Sequence, residues 1–359
     1  MAWQGVEGHD EVVELFRRAI ARARLASTFL FVGPGGVGKR LFAERLAQAL
    51  LCQRSPEAAL APCGLCDACV QVLSHTHPDL MIVEKPADKS FIPVEFFLGD
   101  RDHRMREGLC HDIGLKPFMG GRKVAIVDDA DFLNEEGANA LLKTLEEPPP
   151  GSVLILLGTS AERQLPTIRS RAQVIRFRPL APEQVAEILV RTELAPEAAE
   201  AQRLAALSAG SIERALALGD AELWKFRDQL LATLARPQLE SVPIAQAVGA
   251  FVDAAGKEAP PRRARARQVI AFASEFYRQV LRAQSGLEPG GDPPLVRAVG
   301  EAVAAGRVDA ETAAACIERS LAALDHVDRN AHQATLIECW LDDLAQIVQT
   351  GQPVASWER

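Results

Sequence analysis

Thr28-Phe29-Leu30-Phe31-Val32-Gly33-Pro34-Gly35-Gly36-Val37-Gly38-Lys39-Arg40 is the stretch that decides the fold of this chain. Its first five residues are an apolar, strand-like run. The next seven match G-x-x-x-x-G-K, and a helical pattern follows from about Arg40 to Leu51. Strand, glycine turn and helix in that order form a phosphate-binding loop. Glycines let backbone N–H groups turn inward, the helix N-terminus adds positive potential, and Lys39 reaches outer phosphates. A plain glycine-rich turn would not need the lysine or the strand and helix on either side. Gly33, Gly35, Gly36, Gly38, Lys39 and Arg40 are the candidate phosphate-site residues.

The same rhythm continues outward. Leu80–Val83, Val124–Val127 and Val153–Leu157 are apolar runs with strand character, and Glu135–Leu145 is a helical pattern stopped by Pro148-Pro149-Pro150. Val12–Arg24 reads as an amphipathic helix, and Glu84–Cys110 as an extended polar loop with one helix. Strands alternating with helices predict an α/β domain with a parallel sheet. After Pro179 strand signals disappear. Pro182–Thr192, Glu197–Leu207 and Ser211–Leu218 read as short helices, and helix resumes from about Leu239. Breaks are expected at Lys257–Pro261 and Ser285–Pro294. The expected division is an α/β domain at 1–178, an all-α lid at 179–236 and an all-α collar at 237–359. A length of 359 residues suits two or three domains of about 100–200 residues each.

Composition narrows the function classes. A hydrophobic fraction of 48% and a charged fraction of 25% exclude a disordered or collagen-like chain. No run of about 18 apolar residues occurs, so no membrane span is expected. No basic start followed by an apolar stretch is visible in Met1–Asp10, so a cytoplasmic protein is expected. The net charge of −8 argues against a polycation that wraps nucleic acid, although one basic face remains possible. Arg17–Arg24 reads as a solvated helix face. Arg262–Arg267 precedes an apolar helical run and is expected to form salt bridges, since no aromatics interleave there for base stacking.

Two departures in the phosphate site point to weakened chemistry. The position after Lys39 ordinarily carries Ser or Thr, whose hydroxyl ligates Mg²⁺. Arg40 has no lone pair for a metal and is permanently positive, so it competes with Mg²⁺. At the end of the Val124 strand, Asp128 takes the place of the metal-linked carboxylate, and Asp129 that of a water-activating Glu. Aspartate is one methylene shorter, a displacement of about 1 Å that can cost around 100-fold in rate. Strand-end capping is the bland alternative for this pair.

Four of the seven cysteines, Cys52, Cys63, Cys66 and Cys69, fall between the phosphate-loop helix and the next strand. Four thiolates at this spacing suit tetrahedral Zn²⁺. Free buried thiols are the bland alternative, and a redox Cys63-Gly64-Leu65-Cys66 pair would leave the other two cysteines unexplained. Cys110, Cys316 and Cys339 read as packing residues, and His77-Pro78-Asp79-Leu80 as structural.

These residues resemble the clamp-loader branch of the AAA+ proteins. The match runs through Gly33–Lys39, Gly121–Val124, Asp128–Asp131, Ala138–Pro149 and Ile168–Ala172, with Asn139–Pro149 the most specific part. It covers about the first half of the chain, with Asn330–Leu341 adding a little beyond. The resemblance implies a zinc module at the four cysteines, and at Thr159 a sensor of the γ-phosphate. Ser170-Arg171-Ala172 corresponds to a Ser-Arg-Cys motif whose arginine acts in trans on a neighbour's ATP. A finger of this kind is worth about 10³–10⁵ in rate. The lid sensor, ordinarily an arginine after Gly-Ser, is Glu213 here, and Arg214 falls about 100° further around the helix.

Arg40, Asp129 and Glu213 each impair self-hydrolysis, while Arg171, which serves a neighbour, is kept. That asymmetry resembles the stator-like branch of the bacterial DNA polymerase III clamp loader. The implied partners are the gamma/tau motors and the delta subunit in a hetero-oligomeric ring, with the sliding clamp and primer-template DNA reached through the complex. Two alternatives stand beside it: an active gamma/tau-like ATPase that tolerates Arg40, and a zinc-dependent nucleic-acid-binding module on a dead phosphate-loop scaffold. Whether ATP still binds is left open by the sequence.

Overall fold

The computed structural model describes residues 3–354 apart from Ala87, Asp88, Ser90, Met105 and Asn330. Asp88 and Ser90 of the expected 84–110 loop, and Asn330 of the 330–341 match, therefore lie outside the described residues. The chain divides into two compact units, Met1–Gly219 and Asp220–Arg359.

The first unit begins with α1 (Asp10–Ala21), β1 (Thr28–Val32), α2 (Lys39–Leu51) and α3 (Asp67–Leu73). It continues with β2 (Leu80–Val83), α4 (Glu95–Leu98), α5 (Leu109–Asp112) and β3 (Lys123–Val127). Then come α6 (Glu135–Glu146), β4 (Ser152–Gly158), α7 (Pro166–Arg169) and β5 (Gln173–Arg176). Three helices close the unit: α8 (Pro182–Arg191), α9 (Ala198–Leu207) and α10 (Ile212–Ala217).

The five strands form one sheet in the order β2-β3-β4-β1-β5. Every pairing is parallel. Successive residues of a strand point to opposite faces, so a sheet covered on both sides needs apolar residues at every position. β1, β3 and β4 are buried throughout and meet that demand after their first residues, Thr28, Lys123 and Ser152. Phe29, Phe31, Val124, Ile126, Val153, Ile155 and Leu157 face one core with Phe16 of α1 and Phe42 and Leu46 of α2. Leu30, Val32, Ala125, Val127, Leu154 and Leu156 face the other, against Leu141 and Leu145 of α6. Phe16, Phe29, Phe31, Phe42 and Phe177 form a chain of ring contacts with centroids 4.8–5.9 Å apart.

Three elements go beyond the sequence-based expectation. β5 adds a strand on the far side of β1. A helix, α3, lies inside the cysteine cluster. The 84–110 stretch contains α4 and the start of α5 rather than one helix. α1 also ends at Ala21, so Arg22 and Arg24 lie beyond it.

The second unit is helical: α11 (Ala221–Leu234), α12 (Ser241–Asp253), α13 (Ala259–Gln284), α14 (Pro293–Ala304), α15 (Ala310–Asp328) and α16 (Gln333–Thr350). Of the expected lid, 179–236, α8–α10 lie in the first unit and α11 in the second. Trp340 is fully buried and donates through Nε1 to Ser320 Oγ at 3.1 Å. Arg227 makes a two-pronged bond to Asp292 at 2.9 and 2.5 Å. The Arg262–Arg267 run lies inside the first turns of α13 instead of preceding a helix. Arg265 pairs with Asp220 at 3.1 Å and stacks on Phe251, and Arg262 pairs with Asp253 at 3.4 Å. Among the described residues no helix is long and apolar enough to cross a membrane.

Candidate functional site

Ligands of open parallel sheets gather at the carboxyl ends of the strands. The register brings three candidates to that edge on neighbouring strands. Val32 lies opposite Gly158, and Val127 opposite Leu156, so Gly33, Thr159 and Asp128 leave the sheet side by side. A cavity of about 660 Å³ opens there. Gly35–Leu41, Asp128, Asp129, Asp131 and Thr159 line one part of it, and Val6, Leu180, Ile188, Ile212, Glu213 and Leu216 another.

The loop has the backbone its glycines permit. Gly36 and Gly38 have φ of +67° and +99°, a region in which a Cβ is strained. His9, buried between α1 and the loop, lies 2.7 Å through Nε2 from the carbonyl of Val37. Burial lowers its pKa against the opposing pull of that carbonyl.

The charged groups of the loop are engaged within the chain. Lys39 folds back, donating through Nζ to the carbonyls of Gly33 and Pro34 at 2.6 and 2.7 Å. Burial lowers the Lys39 pKa, and Asp131, Asp128, Glu213 and Asp129 pull the other way. Arg40 donates to Asp128 at 3.0 Å, Glu84 at 2.7 Å and Glu44 at 3.1 Å. Burial works against its charge, yet the bonds to Glu84 and Glu44 outweigh that and raise its pKa. A guanidinium thus sits against the carboxylate expected to serve a metal.

The acidic strand end is equally engaged. Asp128 Oδ1 accepts from the amide of Asp129 at 2.9 Å. Asp129 has a left-handed φ of +56°. Burial, then the Asp128 charge, pushes its carboxyl up. Asp131 binds Thr159 twice, accepting from its amide at 2.8 Å and its hydroxyl at 2.5 Å, and it accepts from Gln164 at 2.7 Å. Thr159 therefore sits at the strand end with its hydroxyl given to Asp131.

Glu213 comes to the loop itself. The amide of Ile212 donates to the Gly36 carbonyl at 2.9 Å. Ser211 caps α10, accepting from the amide of Arg214 at 3.1 Å.

Arg171 is exposed and is absent from the residues lining the cavity. It leaves α7 and bonds Glu146 at the end of α6 at 2.7 Å, with further bonds to the Thr167 carbonyl and Ser170 Oγ at 3.1 and 3.2 Å. α6 is well framed for this. Asn134 caps it by accepting from the amide of Gly137 at 2.9 Å, and the proline run after Glu147 ends it.

Cys52, Cys63, Cys66 and Cys69 converge, with all four Sγ atoms within 4.8 Å of one another. Cys52–Cys66 and Cys63–Cys69 are 4.0 and 3.9 Å apart. Four sulfurs about 2.3 Å from a central Zn²⁺ stand ~3.8 Å apart in a tetrahedron. Backbone amides of Ser55 and Cys63 point at Cys52 Sγ, and that of Cys66 points at Cys63 Sγ. Sulfurs that accept N–H bonds are prepared as thiolates. Burial resists charge at Cys52, but those amide bonds bring its pKa down to about 6. Cys69 moves the other way, first through burial and then through its sulfur neighbours. The donor set fits a tetrahedral, thiolate-seeking cation.

Beside the cluster, His77 and Asp79 are structural, as the sequence suggested. His77 Nδ1 accepts from the Asp79 amide at 3.0 Å. Asp79 is fully buried, accepts from the amides of Phe118 and Met119 at 2.7 and 2.9 Å, and pairs with Lys123 at 3.3 Å.

Sequence reasoning gave no role to Glu84, His9 or Ile212. Glu84 carried a usable signal, because it directly follows β2 at the ligand end of the sheet. His9 and Ile212 reach the loop through tertiary contacts that leave no local pattern.

Comparison with known proteins bears on this geometry. A family model described as "DNA polymerase III, delta subunit" matches residues 8–181. The DNA polymerase III subunit delta′ of Pseudomonas aeruginosa is 36% identical over 229 residues, covering 63% of this chain and 66% of that protein. Its Escherichia coli counterpart is 34% identical over 200 residues, 56% of each chain. The subunit gamma/tau of Mycobacterium tuberculosis is 34% identical over 186 residues, 52% of this chain and 30% of that protein. The chain thus spans under two-thirds of the length of each of these relatives.

Proposed function

The chain belongs to the clamp-loader delta prime family, and from that premise we propose that it is a stator in a DNA polymerase III clamp loader. In this reading it joins gamma/tau motors and a delta subunit in a ring that places the sliding clamp on primer-template DNA. Arg171 completes a neighbour's ATP site, while this chain's own site turns over little or no ATP. Residues 179–236 serve as lid and 237–359 as the collar that holds the ring. The four cysteines hold a structural Zn²⁺, which supplies fold stability and no chemistry at the phosphate loop.

The observation that carries the reading is the ion pair of Arg40 with Asp128. Mg²⁺ would need that carboxylate and a hydroxyl at position 40. Around the loop Lys39 and Arg40 face Asp128, Asp129, Asp131, Glu84 and Glu213. An acidic surround opposes a polyphosphate that arrives without its cation. Arg171 has the complementary placement: its guanidinium is exposed, outside its own cavity, and held only by surface bonds that a neighbour's phosphates can replace.

The test is ATP turnover by the reconstituted loader with clamp and primed DNA. Arg171→Ala is expected to lower turnover by roughly 10³-fold, at the low end of the range for arginine fingers. Unchanged turnover defeats the finger role. Rapid ATP hydrolysis by the isolated chain would favour the motor reading instead.

A further inference from the structure

We propose that the head of α10, Ser211-Ile212-Glu213, is a built-in plug that closes the phosphate loop to polyphosphates, acting separately from Arg40. The proposal deepens the reading of this cavity as a silenced nucleotide site and rests on it.

The contact is close and has three parts. A methyl group placed on Gly36 would lie 2.5 Å from both the amide nitrogen and Cβ of Glu213, and 2.7 Å from Ser211 Oγ. One placed on Gly35 would lie 2.7 Å from a carboxylate oxygen of Glu213. The Ile212 amide fastens the arrangement through its bond to the Gly36 carbonyl. The helix head therefore lies on the turn, and it brings an anion to the place where an anionic ligand must approach. Lys39 feels that anion, since Glu213 is among the charges that act on it. Lys39 itself caps the loop carbonyls of Gly33 and Pro34.

The two obstacles are different in kind. Arg40 replaces the metal, so its removal restores only a place for Mg²⁺. The plug replaces the ligand's own negative charge and bars metal-free phosphates as well. Like charges forced together oppose binding with or without the metal, so the plug is expected to dominate.

The geometry offers a clean way to lift it. Ile212 is the first residue of α10, the helical position where proline is best tolerated because the N–H has no helical partner. Ser211 already has the extended backbone that proline requires before it, φ −113° and ψ 122°. Ile212→Pro thus removes the bond to Gly36 and crowds its carbonyl while leaving α10 intact. Glu213→Ala removes the charge alone.

Full-length chains carrying Ile212→Pro, Glu213→Ala, Arg40→Thr, or Arg40→Thr with Glu213→Ala are titrated with ADP by calorimetry, with and without Mg²⁺. Melting temperature and zinc content serve as folding controls. The unaltered chain and Arg40→Thr are expected to bind ADP weakly. Each plug variant is expected to gain about tenfold or more in affinity without Mg²⁺, and the double variant to gain further when Mg²⁺ is added. ADP binding by the unaltered chain as tight as by the plug variants overturns the proposal. So does a full gain from Arg40→Thr alone, or folded plug variants with no gain. Hydrogen exchange on the unaltered chain needs no variant: the Ile212 amide is expected to exchange slowly with or without excess ADP. Rapid exchange at that amide also overturns the plug. None of these readouts involves Arg171, so the plug can fail while Arg171→Ala still slows the loader, and the reverse.

Discussion

The cysteine cluster and the phosphate loop are two candidate sites at opposite ends of α2, and they differ in how their donors are used. At the cluster, four sulfurs converge within 4.8 Å and backbone amides point at them. Their spacing and donor set suit a cation among them. At the loop, Lys39, Arg40, Asp128 and Asp131 already have partners from the same chain: Lys39 on carbonyls, Arg40 on three carboxylates that include Asp128, and Asp131 on Thr159 and Gln164. A motif records the shape of a site. Whether the site works depends on which of its groups are left over for a ligand.

The comparison can be broken most severely at the cluster. Structural zinc contributes ~10 kcal/mol or more to small zinc-dependent folds. Even a share of about 4 kcal/mol lost on Cys69→Ser would lower the melting temperature of a unit this size by about 8–16 °C. Zinc per chain, read by native mass spectrometry, should fall from one to none. Absence of zinc from the unaltered chain, or an unshifted melt, would make the cluster a set of free thiols, and zinc retained in Cys69→Ser would remove Cys69 from the ligand set.

Asp79 is the next test, because it ties the cluster's side of the sheet to the loop before β3. Asp79→Asn leaves Lys123 buried without its counter-charge, a loss of about 3 kcal/mol. The pH dependence has a definite sign. Burial favours the protonated carboxyl, but the two amide bonds and Lys123 outweigh it and hold the folded pKa below its ordinary value. The stabilisation is therefore present above about pH 4 and is lost as the solution is acidified through the folded pKa. Denaturant titrations between about pH 5 and pH 2 should show a flatter acid limb in Asp79→Asn than in the unaltered chain.

Arg40→Thr sharpens the loop side. Removing the guanidinium leaves Glu84, Glu44 and Asp128 facing one another. The side chain is partly exposed, so screening limits the loss to about 1 kcal/mol, smaller in high salt. A gain in stability would mean that Arg40 is not the group that balances those carboxylates. The smallest effect is expected at Glu14→Gln, which breaks the exposed bond to Arg17 on α1 and should change stability by less than about 0.5 kcal/mol.

Much of the first unit was legible in the sequence, for reasons specific to its parts. β1, β3 and β4 are buried on both faces, so they stand out as unbroken apolar runs. The phosphate loop announces itself by glycines that its positive φ angles require. β5 was missed because Gln173-Val174-Ile175-Arg176 is a four-residue edge with polar ends. α3 was hidden because Cys66 caps its start and Cys69 lies within it, so the stretch reads as a ligand cluster. α11 carried no strong break from its surroundings. At the site, residue types and positions were readable, but partners were not. Arg40 was expected to compete with a metal, and the sequence offered no means of seeing that Asp128, Glu84 and Glu44 would receive it. The closeness of Glu213 to Gly36 depends on how α8–α10 fold back, which no local spacing records.

The sheet's outline also limits how such a chain joins others. Its two outermost strands, β2 and β5, have four residues each, and β5 shows polar side chains at its margin. Short borders, with polar ends at β5, deter strand-by-strand growth from one molecule to the next. Such borders favour association through helices and loops, with the backbone ladder ending at the sheet's own edge.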